Sequence, residues 1–496
     1  MLDNLLLGAA AVADPAVLAA LVVGAAIGIL TGVLPGIGPA VGISVLLPVT
    51  YSLEPLSGMA MLLGIYCGGW FGGAVPAVLI NTPGTPAAVV TTFDGYPMAR
   101  RGEAERALSL AIMASLVGGL ASVLVLILAA PPLARLATAF GAPEYAMAAL
   151  LALALVVAAF RARMLAALTA VALGLFASTV GLDPNTLGQR YTFGFTGLLA
   201  GLPLVPVVIG VFGVGQALAL LETHTVVAAD DRDRRGGIRW HYFGEVFRYP
   251  ATLARSALIG TGIGALPGIG TVLATFFAYL AARRASADPA SFGQGNPEGI
   301  IAAEASNNAV TGAAMIPVLT LGIPGDALTA LMMGVFMIHS VYPGPRLFVE
   351  DPGLVYGIFV AMLVANLVIF ALLLVSIRVL GRIARLDSGV LAVTILALSF
   401  IGAYAMTTAL SGVWIALGAG VLAHLGRRLG FPMVGFLLGL ILGPMIEARL
   451  RQSLSLSDGS WMIFLERPIA LMLCLATLAV LLWPLLRVLR HENRDR

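Results

Sequence analysis

The chain has 496 residues, of which 59% are hydrophobic and 11% charged, against roughly 25% charged in ordinary soluble domains. Water therefore cannot be the solvent for most of this surface, and the chain is expected to be an all-α polytopic membrane protein. A formal charge of +3 is too small to argue for nucleic acid, and Cys67 and Cys474, far apart in apolar runs, match no metal or disulfide spacing.

Read in chain order, the N-terminus MLDNLLLGAAAVADPAVLAA lacks the basic region of a signal peptide and is expected to belong to the mature protein. An apolar run is then interrupted at Leu34–Pro39, followed by the smooth glycine face Gly68, Gly69, Gly72 and Gly73, which suits close helix packing. A second interruption, Asn81–Pro86, precedes the long apolar stretch Ala107–Ala130, one of several able to cross ~30 Å of hydrocarbon. Beyond a charged linker from Glu222 to about Pro250 the pattern returns. Interruptions at Leu266–Thr271 and Gly322–Asp326 precede the spans Val355–Val375 and Ile469–Leu486.

The return is a repeat. Leu34-Pro35-Gly36-Ile37-Gly38 recurs identically as Leu266-Pro267-Gly268-Ile269-Gly270, an offset of 266 − 34 = 232. Pro83-Gly84-Thr85 pairs with Pro324-Gly325-Asp326, Tyr96-Pro97 with Tyr342-Pro343, and Leu202-Pro203-Leu204-Val205 with Phe431-Pro432-Met433-Val434. This divides the chain into a first membrane repeat (1–221), a cytoplasmic linker (222–250), a second membrane repeat (251–450) and an additional transmembrane helix with a cytoplasmic tail (451–496). Arginines mark the cytoplasmic side. With the linker inside, counting spans places Arg100, Arg101, Arg106, Arg161, Arg378, Arg427 and Arg428 inside and Arg190 and Arg346 outside, with Arg449 and Arg451 as exceptions. Equivalent loops then face opposite sides, so the expectation is two inverted repeats with broken or re-entrant helices, about 10–12 membrane elements in all.

Within hydrocarbon an unpaired backbone amide costs several kcal/mol, so helices break at membrane depth only where protein or a wet cavity satisfies the freed groups. The four breaks, each with proline beside glycine, are therefore candidate sites. Thr85 can cap a helix restarting at Pro86, and Asp326 one restarting at Ala327, so two opposed helix starts could bind carboxylates through backbone amides. The expected substrate site comprises Asn81, Thr82, Pro83, Gly84, Thr85, Asn307, Asn308, Gly322, Pro324, Gly325 and Asp326. The expected cation site comprises Gly36, Gly38, Thr82, Thr85, Gly268, Gly270, Thr271, Glu304 and Thr320, whose carbonyls and oxygens suit sodium. Glu304 and Asn308 lie one helical turn apart, and protonation of Glu304 or Asp326 is the rival to sodium. Scattered histidines provide no metal centre, and no P-loop motif occurs, so no ATP site or cofactor is expected.

Two long segments now carry a resemblance. Gly64-Ile65-Tyr66 through Asn81-Thr82-Pro83-Gly84-Thr85-Pro86 to Asp94-Gly95-Tyr96-Pro97-Met98-Ala99, and Gly181-Leu182-Asp183-Pro184-Asn185 through Gly194, resemble the large permease subunit of the tripartite tricarboxylate transporters. Pro297-Glu298-Gly299, Glu304-Ala305-Ser306-Asn307-Asn308-Ala309 and Leu319-Thr320-Leu321-Gly322-Ile323-Pro324-Gly325 are similar to it as well. The resemblance implies a cation-coupled secondary transporter, not an enzyme, in the bacterial inner membrane. It also implies a small membrane subunit and a periplasmic solute-binding protein as partners, and a tricarboxylate such as citrate or a related acid as substrate. Asp326 departs from the small residue expected at its place. A passive channel and an intramembrane enzyme are the competing classes.

Overall fold

The structure is a computed structural model describing all residues except 35, 161–162, 184–185, 223–239, 268–269, 384–387 and 493–496, and only the backbone of 377–383 and 483–492. The first half runs α1 (Leu2–Val12), α2 (Pro15–Val33), α3 (Gly38–Leu46), α4 (Pro55–Gly72), α5 (Ala74–Ile80), α6 (Val89–Arg100) and α7 (Ala104–Ala137). It continues through α8 (Ala142–Ala159), α9 (Met164–Ser178), α10 (Leu204–Val208) and α11 (Gly215–Glu222), the last two joined by a π-helical segment, Ile209–Val214. After α12 (His241–Glu245), the second half repeats the order. Its elements are α13 (Pro250–Gly264), α14 (Gly270–Ala285), α15 (Pro297–Leu321), α16 (Ala327–Ile338), the short α17 (Leu347–Glu350), α18 (Pro352–Ile383), α19 (Ser388–Thr407), α20 (Leu410–Leu429) and α21 (Met433–Leu456). A short α22 (Ile463–Glu466) and a final α23 (Pro468–Glu492) complete the chain. The only strands among the described residues are the two-residue β1 (Gly181–Leu182) and β2 (Gln189–Arg190), paired antiparallel.

This is an all-α polytopic membrane protein. Nine helices among the described residues are long and apolar enough to cross a membrane, and five shorter apolar helices add to them. The helix starts follow local chemistry. Asp14 accepts from Ala16 N with Pro15 opening α2, and Asn296 accepts from Glu298 N with Pro297 opening α15.

Tails of lipid are as apolar as leucine, so helices here associate by close packing, and glycine permits it. Gly24, Gly28 and Gly32 of α2 lie against the backbone of Met61, Ile65 and Gly69, while Gly64, Gly68 and Gly72 of α4 lie against Leu21, Ala25 and Ile29. The glycine face seen in the sequence is thus a packing face. In the second half, Gly260 and Gly264 of α13 meet Ser306 and Val310 of α15 in the same way.

The halves interlock. The central helices α4 and α15 are each clasped by the long helix of the other half, α4 by α18 and α15 by α7. Outside this core stand two bundles of exchanged composition. The first half's 204–222 helix packs with α19 and α20, whereas the second half's α21 packs with α8 and α9.

Candidate functional site

Two central helices are buried without interruption: Ser57–Leu79 of α4–α5 and Gly299–Thr320 of α15. Each ends on a left-handed residue, Asn81 (φ 55°) and Gly322 (φ 68°), inside the Pro-Gly segment singled out from sequence. That conformation turns the chain sharply, and the restarted α6 and α16 run back into the core of the opposite half. The turn of helix at Pro86–Ala88 packs on α14 and α15, and α16 packs on α3 and α4.

The two restarts differ. Asp326 caps α16, accepting from Thr329 N at 2.7 Å while its own N–H reaches Thr329 Oγ1, and its second oxygen accepts from Tyr66 OH at 2.8 Å. A carboxylate of the chain itself therefore occupies this helix start, which opposes the expectation that a substrate carboxylate binds there through free amides. Thr85 holds the capping position of the other restart, with Pro86 next, but its hydroxyl makes no capping hydrogen bond. Its Oγ1 is buried and unpartnered.

Two more of the unpartnered buried atoms belong to residues of this region, Trp70 Nε1 and Asn307 Oδ1, while Asn308 Oδ1, also unpartnered, belongs to a side chain bonded to Ser115 of α7. One face of α4 relates them. Tyr66 meets Asp326, Trp70 O faces Asn307 Nδ2 at 3.5 Å, and Gly73 adjoins Thr85. Positions 66, 70 and 73 follow one helical face over seven residues, so both restarts and Asn307 meet the same side of this helix. Natively buried polar atoms nearly always have partners, so orphans gathered on one face point to a ligand.

Glu304 is fully buried and accepts from Thr91 of α6 and, at 3.0 Å, from Ser115 of α7. Asn308 donates to Ser115 Oγ at 2.8 Å and to Glu304 O. The ion pairs of the described residues, Arg106–Glu245, Arg190–Glu447, Arg451–Asp183, Arg428–Glu222 and Arg467–Glu144 among them, involve neither Glu304 nor Asp326. The core thus brings two carboxyl groups and several orphaned donors and acceptors together without a basic partner.

Not every expected site residue joins this cluster. Gly84 N donates to Gly73 O, and a Cβ at Gly84 would lie 1.9 Å from Gly32 O; at Gly325 it would lie 2.5 Å from Ala314 O. These glycines close the fold against itself, and their backbones do not line open space for a substrate. Thr82 and Thr320 bond Ile80 O and Ile316 O within their own segments. Asn81 is exposed, and Pro83 and Pro324 flank the turns. Gly36, Gly38 and Gly270 are left-handed turn residues (φ 81°, 68° and 78°), Thr271 is buried in the first turn of α14, and Gly268 lies outside the described residues.

Sequence reasoning passed over Tyr66, Trp70, Thr91 and Ser115, which read as ordinary occupants of apolar helices. It also passed over Asp94. This wholly buried carboxylate accepts from the backbone N–H of Gly293, Gly295 and Asn296, each at 2.8 Å, and from Tyr279 OH at 2.8 Å. Its signal was a lone acid in an otherwise neutral stretch before Arg100. It ties α6 to the loop that leads into α15, and Arg101 binds Gly295 O beside it.

Comparison with known proteins agrees over most of the chain. The family model of the tripartite tricarboxylate transporter TctA family matches residues 18–438. An uncharacterized 52.8 kDa protein in the TAR-I ttuC' 3' region of Agrobacterium vitis is 36% identical over 459 residues, 92% of this chain and 90% of that protein. An uncharacterized protein in the TAR-II ttuC' 3' region of the same organism is 34% identical over 234 residues, 47% of this chain and 97% of that protein. No solved structure matches.

Proposed function

We propose, from the premise that the chain belongs to the tripartite tricarboxylate transporter TctA family, that it is the cation-coupled permease of such a system. In this reading it lies in the bacterial inner membrane beside a small membrane subunit. It imports a tricarboxylate such as citrate, or a related carboxylate, received from a periplasmic solute-binding protein.

The observation that carries this reading is the buried cluster around Thr85, Asn307 and Asp326. A carboxylate entering a low-dielectric core must replace its water with donors, and the orphaned Trp70 Nε1 and Thr85 Oγ1 offer two. The same core holds Glu304 and Asp326 with no basic partner among the described residues, so an anionic substrate finds no fixed positive charge to offset its own. Entry of a cation with each substrate supplies that charge. Asn307 Oδ1, Asn308 Oδ1 and Thr85 Oγ1 are hard oxygen ligands of the kind sodium takes, with carbonyls at the helix breaks.

A second reading is proton coupling through Glu304, favoured by its complete burial with no basic partner among the described residues. Uptake into vesicles under separately imposed sodium and pH gradients decides between them. Sodium coupling predicts uptake that follows the sodium gradient at fixed pH; uptake that follows only the pH gradient selects Glu304 protonation.

A further inference from the structure

The two halves carry the same elements but expose them unequally. Leu34 and Leu266 hold the same place in identical five-residue segments, yet Leu34 is 8% exposed and Leu266 46%. Leu34, Ile37 and Val41 form one apolar cluster with Ala217 and Leu220 of α11 and with Ala392 and Ile395 of α19. On the matching surface of α13 and α14 no described residue of the outer bundles replaces that cover. Leu258, Leu266, Phe277 and Leu280 line an apolar groove of about 520 Å³ that ends at Arg284.

The second pair of counterparts, α16 and α6, is unequal in the same sense. Every residue of α16 from Leu328 to Phe336 is buried, and Ile323 and Ala330 pack with Leu438 and Leu442 of α21. On α6, Phe93 stays exposed and the helix packs mainly on core elements. Both outer bundles therefore sit against the α3 and α16 side of the core and stand off the α14 and α6 side.

Within the core the corresponding contacts are kept: α2 with α4 as α13 with α15, and α4 with α18 as α15 with α7. The pairing of these core helices is therefore common to both halves, although α15 and α7 meet more extensively than α4 and α18. In an exchanged arrangement the bundles would cover α14 and α6 and release α3 and α16. Exposing an apolar groove costs little where lipid tails can fill it.

We infer that this structure is one end state of an exchange in which the α8–α9–α21 and α10–α11–α19–α20 bundles shift as units across the core, sealing the Leu34 and Leu266 breaks alternately. The inference rests on the transporter reading, since alternate sealing is what carries a site from one side to the other. It also names the contact of the unseen state. The offset 431 − 202 = 229 makes Ile446 of α21 the counterpart of Ala217, so Ile446 should meet Leu266.

Thiol crosslinking of the full-length protein in vesicles tests this, in a background carrying Cys67→Ala and Cys474→Ala. The pair Leu34→Cys and Leu220→Cys reports the seal present here, and Leu266→Cys and Ile446→Cys the exchanged one. Each pair should crosslink alone, and in a variant carrying all four cysteines the first crosslink should prevent the second. Molecules holding both crosslinks, or a 266–446 pair that never forms with or without sodium and citrate, would overturn the exchange and leave the groove as a seat for lipid or another chain. If the 266–446 variant does not assemble, the 34–220 pair decides alone. A reducible linker there should abolish uptake and its cleavage restore it, and uptake at the parental rate in the linked protein would overturn the inference. These crosslinks form or fail whatever the substrate is, so absence of carboxylate uptake in the parent protein would count against the proposed function and not against the exchange.

Discussion

Thr85 and Asn307 distinguish a ligand site from an imperfect core by the sign of a substitution. A buried hydroxyl or amide with no partner costs about 1–3 kcal/mol, so Thr85→Val should leave thermal stability unchanged or raise it. If the hydroxyl serves transport, the same variant should lose substrate affinity by roughly 5- to 150-fold, the equivalent of about 1–3 kcal/mol. Asn307→Ala should lose affinity alike, but at some cost in stability, because it also removes the Nδ2 donor to Trp70 O and leaves a cavity. Uptake kinetics read beside a melting curve on one preparation check this; unchanged kinetics in both variants would reduce the two residues to packing roles. Asp94 predicts the reverse. Removing its carboxylate in Asp94→Ala strands three backbone donors and should destabilise by about 3–5 kcal/mol, whereas Asp94→Asn keeps an acceptor and should cost less than half as much. Polar residues in apolar runs made Glu304, Asn307, Asn308 and Asp326 legible from the sequence. Tyr66 and Trp70 were not legible, because an aromatic in an apolar helix becomes informative only when its partner, 260 positions away for Tyr66, is known.

At the scale of elements, the positions of the helix breaks were legible because proline removes a donor and glycine relieves the backbone wherever they fall. What each glycine does was not. Gly84 and Gly325 sit in matching Pro-Gly pairs like ligand-facing turns, yet their neighbours are Gly32 O and Ala314 O. Added methyl groups should therefore rank by clearance. Gly84→Ala should be the most damaging, Gly325→Ala intermediate, and Gly38→Ala mild, since a Cβ at Gly38 meets nothing within 4 Å and bears only the left-handed strain of about 1–2 kcal/mol. Yield of monodisperse protein after extraction measures the order; equal yields would contradict the packing assignment. The difference between the two restarts was also hidden, because capping by Asp326 and its absence at Thr85 depend on rotamers and neighbours that a shared motif does not encode.

At the scale of the molecule, the arginines divide between two ends. Arg428 pairs with Glu222 and Arg427 with Gln216 at one, while Arg190 and Arg451 share Asp183 and Glu447 at the other. Arg449, stacked on Tyr145, and Arg451 were exceptions to the arginine count; Arg451 is now placed with Arg190, near the far end of α21. Arg161 and Arg235 lie outside the described residues, so the topology is best tested at 428, 190 and 346. Cysteines at those positions should label from the cytoplasm, the periplasm and the periplasm respectively with an impermeant reagent. Labelling of 100 and 346 from one side would contradict the inverted arrangement.

The central claim, that a carboxylate and a cation cross together through the core between α4 and α15, meets its most direct test in uptake of labelled citrate and related acids into vesicles containing the permease with its small subunit. The gradient of sodium and the presence of the binding protein are varied independently. The account predicts accumulation of one carboxylate class above equilibrium only when both are supplied, and its loss in Asn307→Ala. Equilibration without accumulation, indifferent to gradient and binding protein, would describe a channel and contradict the account.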